Sequence, residues 1–326
     1  MLDDASLAAR FKLNLEAVPV KLAESYSKLY SVRALRPRPA TDDKILTAWN
    51  GLMLAAFAEA ARVLCDDWRL LRREQHPPRN DNYIKVATRS ADFLLSALRP
   101  NSKLCRAWRD GTTTKAVFLE DYAALILGLL ELYQTDFDNK WFTSAHELAE
   151  EMIKKFSDPD GGFFDTPHNG ETLLIRPKDI SDNATPSGNA LACEALLKLA
   201  AYTDNGKYRD LAEQALAIMS DSALRYPLGF ARWLSAAENA QENTKQIAVM
   251  GEAGEEMFER ILKAIRAEYR PGVVVAASSY PPPENAPALL NNRVQINRKA
   301  TAYVCEGFVC RQPTTEPEEL AIQVKA

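Results

Sequence analysis

Apolar residues recur along this chain at helical spacing, but in two alternating styles. From Asp43 to Leu64 they run almost all round the helix: Ile45, Leu46, Trp49, Leu52, Met53, Leu54, Phe57 and Val63, with alanines between. A helix without a polar face is buried on every side. The next helical segment, Tyr83 to Leu98, sets Tyr83, Ala87, Ala91, Leu94 and Leu98 at three- and four-residue steps and leaves Lys85, Arg89 and Asp92 outside, so it buries one face. The alternation repeats. Val117 to Tyr133 is apolar all round and Trp141 to Phe156 is one-sided; Ser187 to Tyr202 is again apolar all round and Tyr208 to Met219 again one-sided. A fourth buried helix is predicted at Leu228 to Ala237. Ahead of the series, residues 5 to 32 read as helix, with Leu7, Phe11, Leu15, Leu22, Tyr26 and Leu29 on one face and Pro19 expected to kink or divide it. The polar connection Arg69 to Asn82 reads as a surface insertion.

Wholly buried helices alternating with half-buried ones are what a double ring of α-hairpins requires, the inner ring packed on both sides and the outer ring facing water. The fold expected is therefore mainly α, an α/α toroid. An α-solenoid is the competing architecture, but no shared motif recurs at a fixed period. Near Gln246 the pattern changes: Ile247 to Met250 and Val273 to Ala277 are short β-branched runs flanking a helical stretch, Glu255 to Tyr269, which reads as one β-α-β unit. The predicted division is an α-hairpin segment over 1–240 and a C-terminal β-α-β unit with its tail, over 241–326, packing on it. The turn MGEAGEE lacks the third glycine and the lysine of a phosphate loop, and Glu252, Glu255 and Glu256 would repel a phosphate.

Charge and composition narrow the function classes. A net charge of -4 argues against nucleic-acid binding, which needs a basic face. No apolar run approaches the roughly 20 residues of a membrane span, and the acidic start MLDDASLAARFKLNLEA is unlike a signal peptide. No membrane partner is expected, and the cytoplasm is the default. Five cysteines are an odd number, and Cys65 and Cys193 sit in apolar helical stretches, which fits a reducing compartment. Cys305 and Cys310 are close in sequence but form neither a CxxC nor a zinc half-site. His76, His146 and His168 are far apart, so no metal site and no cofactor are expected.

Polar residues that could carry chemistry share one structural address. Asp42, Asp43, Lys44, Trp49 and Asn50 open the first buried helix, Glu120, Asp121 and Tyr122 the second, and Arg176, Lys178, Asp182, Thr185, Ser187 and Asn189 the third. In a ring of hairpins all inner helices run the same way, so these N-terminal ends converge on one mouth, the candidate pocket. Carboxylates crowded there would separate one another's pKa values, as acid and base partners need. Asp43, Asp121 and Asp182 are the catalytic candidates. Asp42, Lys44, Trp49, Asn50, Glu120, Tyr122, Arg176, Ser187 and Asn189 are candidates for contacting a polyhydroxylated ligand such as a sugar. The competing reading is that these acids and hydroxyls are helix caps and that the aromatics are core. In Asp160-Gly161-Gly162-Phe163-Phe164 the glycines permit a positive-φ turn.

The runs RPRPATDDKILTAWNGLM, LEDYAALILGLLELY, DGGFFDT, DNATPSGNA and AYVCEGFVCRQP resemble, in this order, the C-terminal portion of the thioredoxin-domain-containing family typified by spermatogenesis-associated protein 20. The resemblance spans roughly Arg33 to Leu320. It implies a six-hairpin glycosidase-like toroid akin to N-acylglucosamine 2-epimerase and a carbohydrate-related role. Members of the family also carry a thioredoxin-like domain and further hairpins ahead of this region, which this sequence lacks, so it is expected to be a C-terminal fragment. An incomplete ring would expose apolar helix faces, so self-association or a missing N-terminal half is the expected partner.

Three functions compete: a sugar-processing hydrolase or epimerase, a non-catalytic module that binds a ligand or partner beside a thioredoxin-like domain, and redox chemistry at Cys305 and Cys310.

Overall fold

The computed structural model describes residues 2–64, 80–171, 173–241 and 244–325. Cys65, His76 and most of the expected insertion, up to residue 79, lie outside the described residues. Chain contacts separate two units, Met1–Asp43 and Lys44–Ala326.

The first unit holds two helices, α1 (Asp4–Phe11) and α2 (Ala17–Ala34). Asp3 caps α1 by accepting the Ser6 amide at 2.8 Å. The break falls at residues 12–16, where Lys12 takes a left-handed conformation, and not at Pro19. Pro19 instead lies in the first turn of α2, where its missing N–H costs no helical bond. The predicted apolar face is largely at the surface, since Phe11, Leu15, Tyr26 and Leu29 are all exposed.

The second unit begins with β1 (Ile45–Leu46), which leads into α3 (Thr47–Val63). Three outer helices, α4 (Asn80–Ala97), α6 (Asn139–Phe156) and α8 (Gly206–Arg225), alternate with two inner ones, α5 (Leu119–Asp136) and α7 (Gly188–Thr203), and α9 (Ala231–Gln241) ends the series. Two of the hairpin turns, α5–α6 and α7–α8, are chemically explicit. Phe137 and Asp204 end α5 and α7 in left-handed conformations, and Asp138 and Asn205 cap the returning helices by accepting the amides of Lys140 and Lys207.

Inner helices run parallel and touch. Gly51 of α3 lies so close to α5 that an added Cβ would stand 2.6 Å from the Ala124 carbonyl carbon, and a Cβ on Gly128 would stand 2.6 Å from the Gly51 oxygen. The N-terminal turn of α7 meets that of α5 at Gly188, whose added Cβ would lie 3.2 Å from the Glu120 amide. α5 and α7 are buried all round, whereas α4, α6 and α8 bury one face. The architecture is mainly α: consecutive hairpins forming part of an α/α toroid.

Two inner elements depart from expectation. α3 buries Thr47, Ala48, Gly51, Leu54, Ala58 and Ala61, but Trp49 is 60% exposed and Met53 54% exposed. α9 buries only Trp233 and Ala236 among its residues. Each stands at an end of the series, where among the described residues one inner helix packs closely on it, α5 on α3 and α7 on α9, so an apolar all-round pattern does not become all-round burial.

A small sheet follows. β4 (Lys245–Met250) and β5 (Val273–Ser278) pair in parallel across α10 (Glu256–Arg266), in register from Lys245 with Val273 to Met250 with Ser278. β6 (Thr301–Glu306) adds antiparallel to β4, and β7 (Val309–Cys310) to β6. α11 (Pro317–Lys325), within the predicted tail, buries Leu320 and Val324 beside α10. The sheet docks on the C-terminal ends of the inner helices: Gln134 of α5 accepts the Val275 amide at 2.9 Å, the Tyr202 hydroxyl of α7 donates to the Val275 carbonyl at 3.2 Å, and Gln246 donates to the Ala201 carbonyl at 2.9 Å. No helix among the described residues is long and apolar enough to cross a membrane.

Candidate functional site

Because α3, α5 and α7 are parallel, the second unit has two distinct ends. At the N-terminal end, β2 (Ala107–Arg109) pairs with β1 and with β3 (Thr112–Thr113), bringing Arg106 beside the start of α5. Arg106 donates to Glu120 at 2.7 Å and lies 3.6 Å from Asp121. The carboxyl of Asp121 is fully buried and spans two helix starts, accepting the Ala48 amide of α3 at 3.2 Å and the Phe118 amide ahead of α5 at 3.0 Å. Burial drives its pKa up to about 7, against the lowering effect of the Phe118 amide and the Arg106 charge. Asp182 repeats the device one step along, accepting the Ser187 amide before α7 and the Arg232 amide of α9 at 2.9 and 2.8 Å.

The other predicted residues of this end are likewise engaged with their surroundings. Asn189 holds the backbone of Phe163 in both directions at 2.8 Å, fixing the turn in which Gly161 and Gly162 have positive φ. The Ser187 hydroxyl donates to the Asp179 carbonyl, and Asn50 donates to the Leu46 carbonyl. Tyr122 donates to Glu151 and accepts from Lys155 in the interior. Arg176 donates to the Thr166 carbonyl and stacks 3.9 Å from the Phe164 ring centroid. Trp49 is a surface residue here and not core. Lys44 is exposed, and Asp42 and Asp43, also exposed, belong to the first unit.

A cavity of about 470 Å³ lies elsewhere, lined by α3, α5, α7 and α9, with α10 and β5 opposite. Its centre is a carboxylate held by two cations. Glu131 accepts from Arg62, and from Lys198 at 2.5 Å, while Arg62 also donates to Thr135 at 2.9 Å. Glu131 and Lys198 side chains are 12% and 13% exposed. Burial alone would raise the Glu131 pKa, but the charges of Lys198 and Arg62 outweigh it and bring the carboxyl down to about 2. Burial opposes the charge of Lys198 in turn, but Glu131 and Glu194 overcome it and raise the ammonium above its usual range.

Around this core the cavity wall is electrically balanced. Five acids (Glu59, Glu131, Glu194, Glu238 and Glu268) line it with five bases (Arg62, Lys198, Arg232, Arg266 and Arg270). Arg232 pairs with Glu194 at 2.5 Å, and Arg266 donates to the Gln134 and Thr135 carbonyls that end α5. Tyr269 contributes an aromatic ring whose phenol is raised, first by burial and then by the nearby Glu59 charge. Such a wall offers both acceptors and donors. Among the described residues no cluster of three or more His, Cys, Asp or Glu side chains is spaced to hold a metal ion.

None of these cavity residues was singled out from the sequence, yet a signal is present there. Glu131 sits in LGLLELY, and Glu194 and Lys198 sit four apart in ACEALLKLA, helices otherwise apolar all round. A charge in a helix buried on every side must be paired inside, so lone charges in such helices point to a common polar centre.

No protein-family model matches the chain. Spermatogenesis-associated protein 20 from Homo sapiens is 31% identical over 329 residues, covering 96% of this chain and 40% of that protein, and the Mus musculus protein is 30% identical with the same coverage. Among solved structures, cellobiose 2-epimerase from Spirochaeta thermophila aligns at a TM-score of 0.40 and 18% identity over 54% of this chain and 43% of that one. The GH76 α-mannanase BT2949 from Bacteroides thetaiotaomicron aligns at 0.41 and 12% over 86% of each chain. Both structural alignments are loose. The family resemblance carried by the motifs is borne out at the level of sequence: along 96% of its length the chain is a relative of spermatogenesis-associated protein 20, and it spans about two fifths of that protein's length.

Proposed function

We propose that this chain is the carbohydrate-handling part of its protein and that the cavity among α3, α5, α7 and α9 takes a neutral sugar. The observation that carries the reading is the balance of the wall, five acids against five bases around about 470 Å³. Every sugar hydroxyl both donates and accepts, so it is matched by carboxylates and cations side by side. An anionic ligand calls for a surplus of cations. The size lies within the ordinary range for a small-molecule site. Tyr269 supplies a ring for an apolar sugar face.

The reaction class we propose is sugar hydrolysis or epimerisation, with proton transfer assigned to Glu59 and Glu194. Glu131, held ionised by Lys198 and Arg62, is a fixed acceptor that neither takes nor gives a proton near neutrality. Asp121 and Asp182 tie helix starts together in this reading, and Asp43 has no part in the cavity. A module that binds without turnover is favoured by one feature, the tight ion pairing of the cavity centre, and it differs in yielding no product. Saturation-transfer NMR with neutral mono- and disaccharides and with their phosphates tests the binding, and following the anomeric signals tests turnover. Neutral sugars should bind, their phosphates should bind no better, and Ser235→Trp, which fills the cavity, should abolish the signal. A preference for phosphates, or binding undiminished in Ser235→Trp, would refute the reading.

A further inference from the structure

In the same sheet as β5 but on the other side of β4, the β6–β7 hairpin carries a second chemical centre. Cys305 and Cys310 are register partners across the two strands and are joined by a disulfide. Cys305 is buried and Cys310 half-buried, so Cys310 is the more approachable of the two. Arg293 brings Nη2 to 2.9 Å from the Cys310 sulfur and 3.8 Å from that of Cys305. Its place is fixed by Tyr303, whose ring lies 5.3 Å from the guanidinium and whose hydroxyl bonds both the amide and the carbonyl of Val294. Among the described residues no carboxylate pairs with Arg293, so its charge falls on the sulfurs.

The bond adds little that the backbone does not already supply. Glu306 pairs with Val309, and the Arg311 amide donates to the Val304 carbonyl at 2.9 Å, so the hairpin is closed by its own ladder. A bridge across so short a loop removes little chain entropy. A charged guanidinium beside two sulfurs is, by contrast, what lowers a thiol's pKa and makes it a better leaving group.

We propose that Cys305 and Cys310 form a reversible thiol–disulfide site for a dithiol reductant, with Arg293 as the positioning residue that stabilises the thiolates. One reductant sulfur attacks the sulfur of the less buried Cys310, forming a mixed disulfide, and the Cys305 sulfur leaves with the bonding electron pair and takes up a proton. The second reductant thiol then closes on its partner, releasing Cys310 as a thiolate against Arg293. The protein disulfide gains two electrons and one proton, the second proton of the dithiol passes to solvent, and the dithiol becomes a disulfide. Opening is local, because the ladder of β6 and β7 persists.

The test is alkylation of the folded full chain, read site by site by mass spectrometry, in graded dithiothreitol buffers. Cys305 and Cys310 should become labelled together while Cys105 and Cys193, both buried, stay protected. Failure of the pair to open in excess dithiol without unfolding, or thiols that do not re-oxidise, would overturn the proposal. In Cys305→Ser, which leaves Cys310 free, the Cys310 thiol should titrate below the ordinary value of about 8.5, and adding Arg293→Gln should slow its alkylation at neutral pH about tenfold while Arg293→Lys largely preserves the rate. A Cys310 thiol of ordinary acidity, or an equal rate in the Arg293→Gln protein, would show that Arg293 does not act on the sulfurs. Circular dichroism of each variant separates these results from loss of fold.

Discussion

The two ends of the inner helices use the same chemical group, a carboxylate, in opposite ways. At the N-terminal end, Asp121 and Asp182 face backbone amides, each joining two helix starts, and Asp121 is pushed up to about 7 by burial. Toward the C-terminal end, Glu131 faces side-chain cations and is pulled down to about 2. Free amides crowd a helix start and are met by a short acid, which closes the structure locally. A helix end presents carbonyls, which attract cations, and the cations in turn gather carboxylates. The second arrangement leaves a polar-walled cavity, and the first leaves satisfied caps.

Removing the cavity carboxylate is the harshest way to probe that contrast. Glu131→Ala strands Arg62 and Lys198 in the interior and should cost about 3–5 kcal/mol in urea unfolding; a loss under about 1 kcal/mol would mean the pair is solvated. Gly51→Ala comes next, because its Cβ meets the Ala124 backbone and the helices must separate, at about 1–3 kcal/mol in the same assay. Asp121→Ala removes two amide partners and should cost about 1–2 kcal/mol. Asp182→Ala, at a less buried position, should cost about 0.5–1 kcal/mol.

Titration sharpens the contrast, because the two acids carry opposite signs. The native Asp121 carboxyl keeps its proton to about pH 7, whereas its unfolded counterpart loses it near 3.8, so the native state binds more protons between those values and stability falls as pH rises through that window. Glu131 behaves the other way. Its contribution is present above its ordinary value of 4.5 and is lost as pH falls from there toward 2. Urea midpoints measured against pH should therefore lose the decline between about pH 4 and 7 in Asp121→Asn, while the acid limb remains. An unchanged profile would show that the Asp121 carboxyl is not desolvated in solution.

Much of the architecture is legible in the chain, because burial in a ring is periodic: the spans around α4 to α8 and the β-α-β unit follow from spacing alone. Where the pattern misleads, the neighbour is what is missing. Trp49 and Met53 are apolar in a helix on which, among the described residues, one inner helix packs closely, and no local rule reports that. The candidate site is legible in part. The convergence of Asp121, Asp182, Ser187 and Asn189 on one end follows from helix direction, but the same residues are preferred caps, and capping chemistry and ligand chemistry look alike in sequence. Glu131, Glu194 and Lys198 stand out only when a charge in an otherwise apolar helix is treated as a question about its partner. Their meeting with Arg62, Arg232 and Tyr269 depends on long-range packing that spacing does not encode.

The most direct test of the account is isothermal titration of a neutral sugar that binds the native chain against two variants, Glu194→Gln at the cavity wall and Asp121→Asn at the helix starts. The account predicts that Glu194→Gln weakens binding about tenfold or more, the worth of a hydrogen bond to a charged group, while Asp121→Asn binds with unchanged affinity despite its altered stability. Binding lost in Asp121→Asn and kept in Glu194→Gln would contradict it and return the site to the N-terminal end.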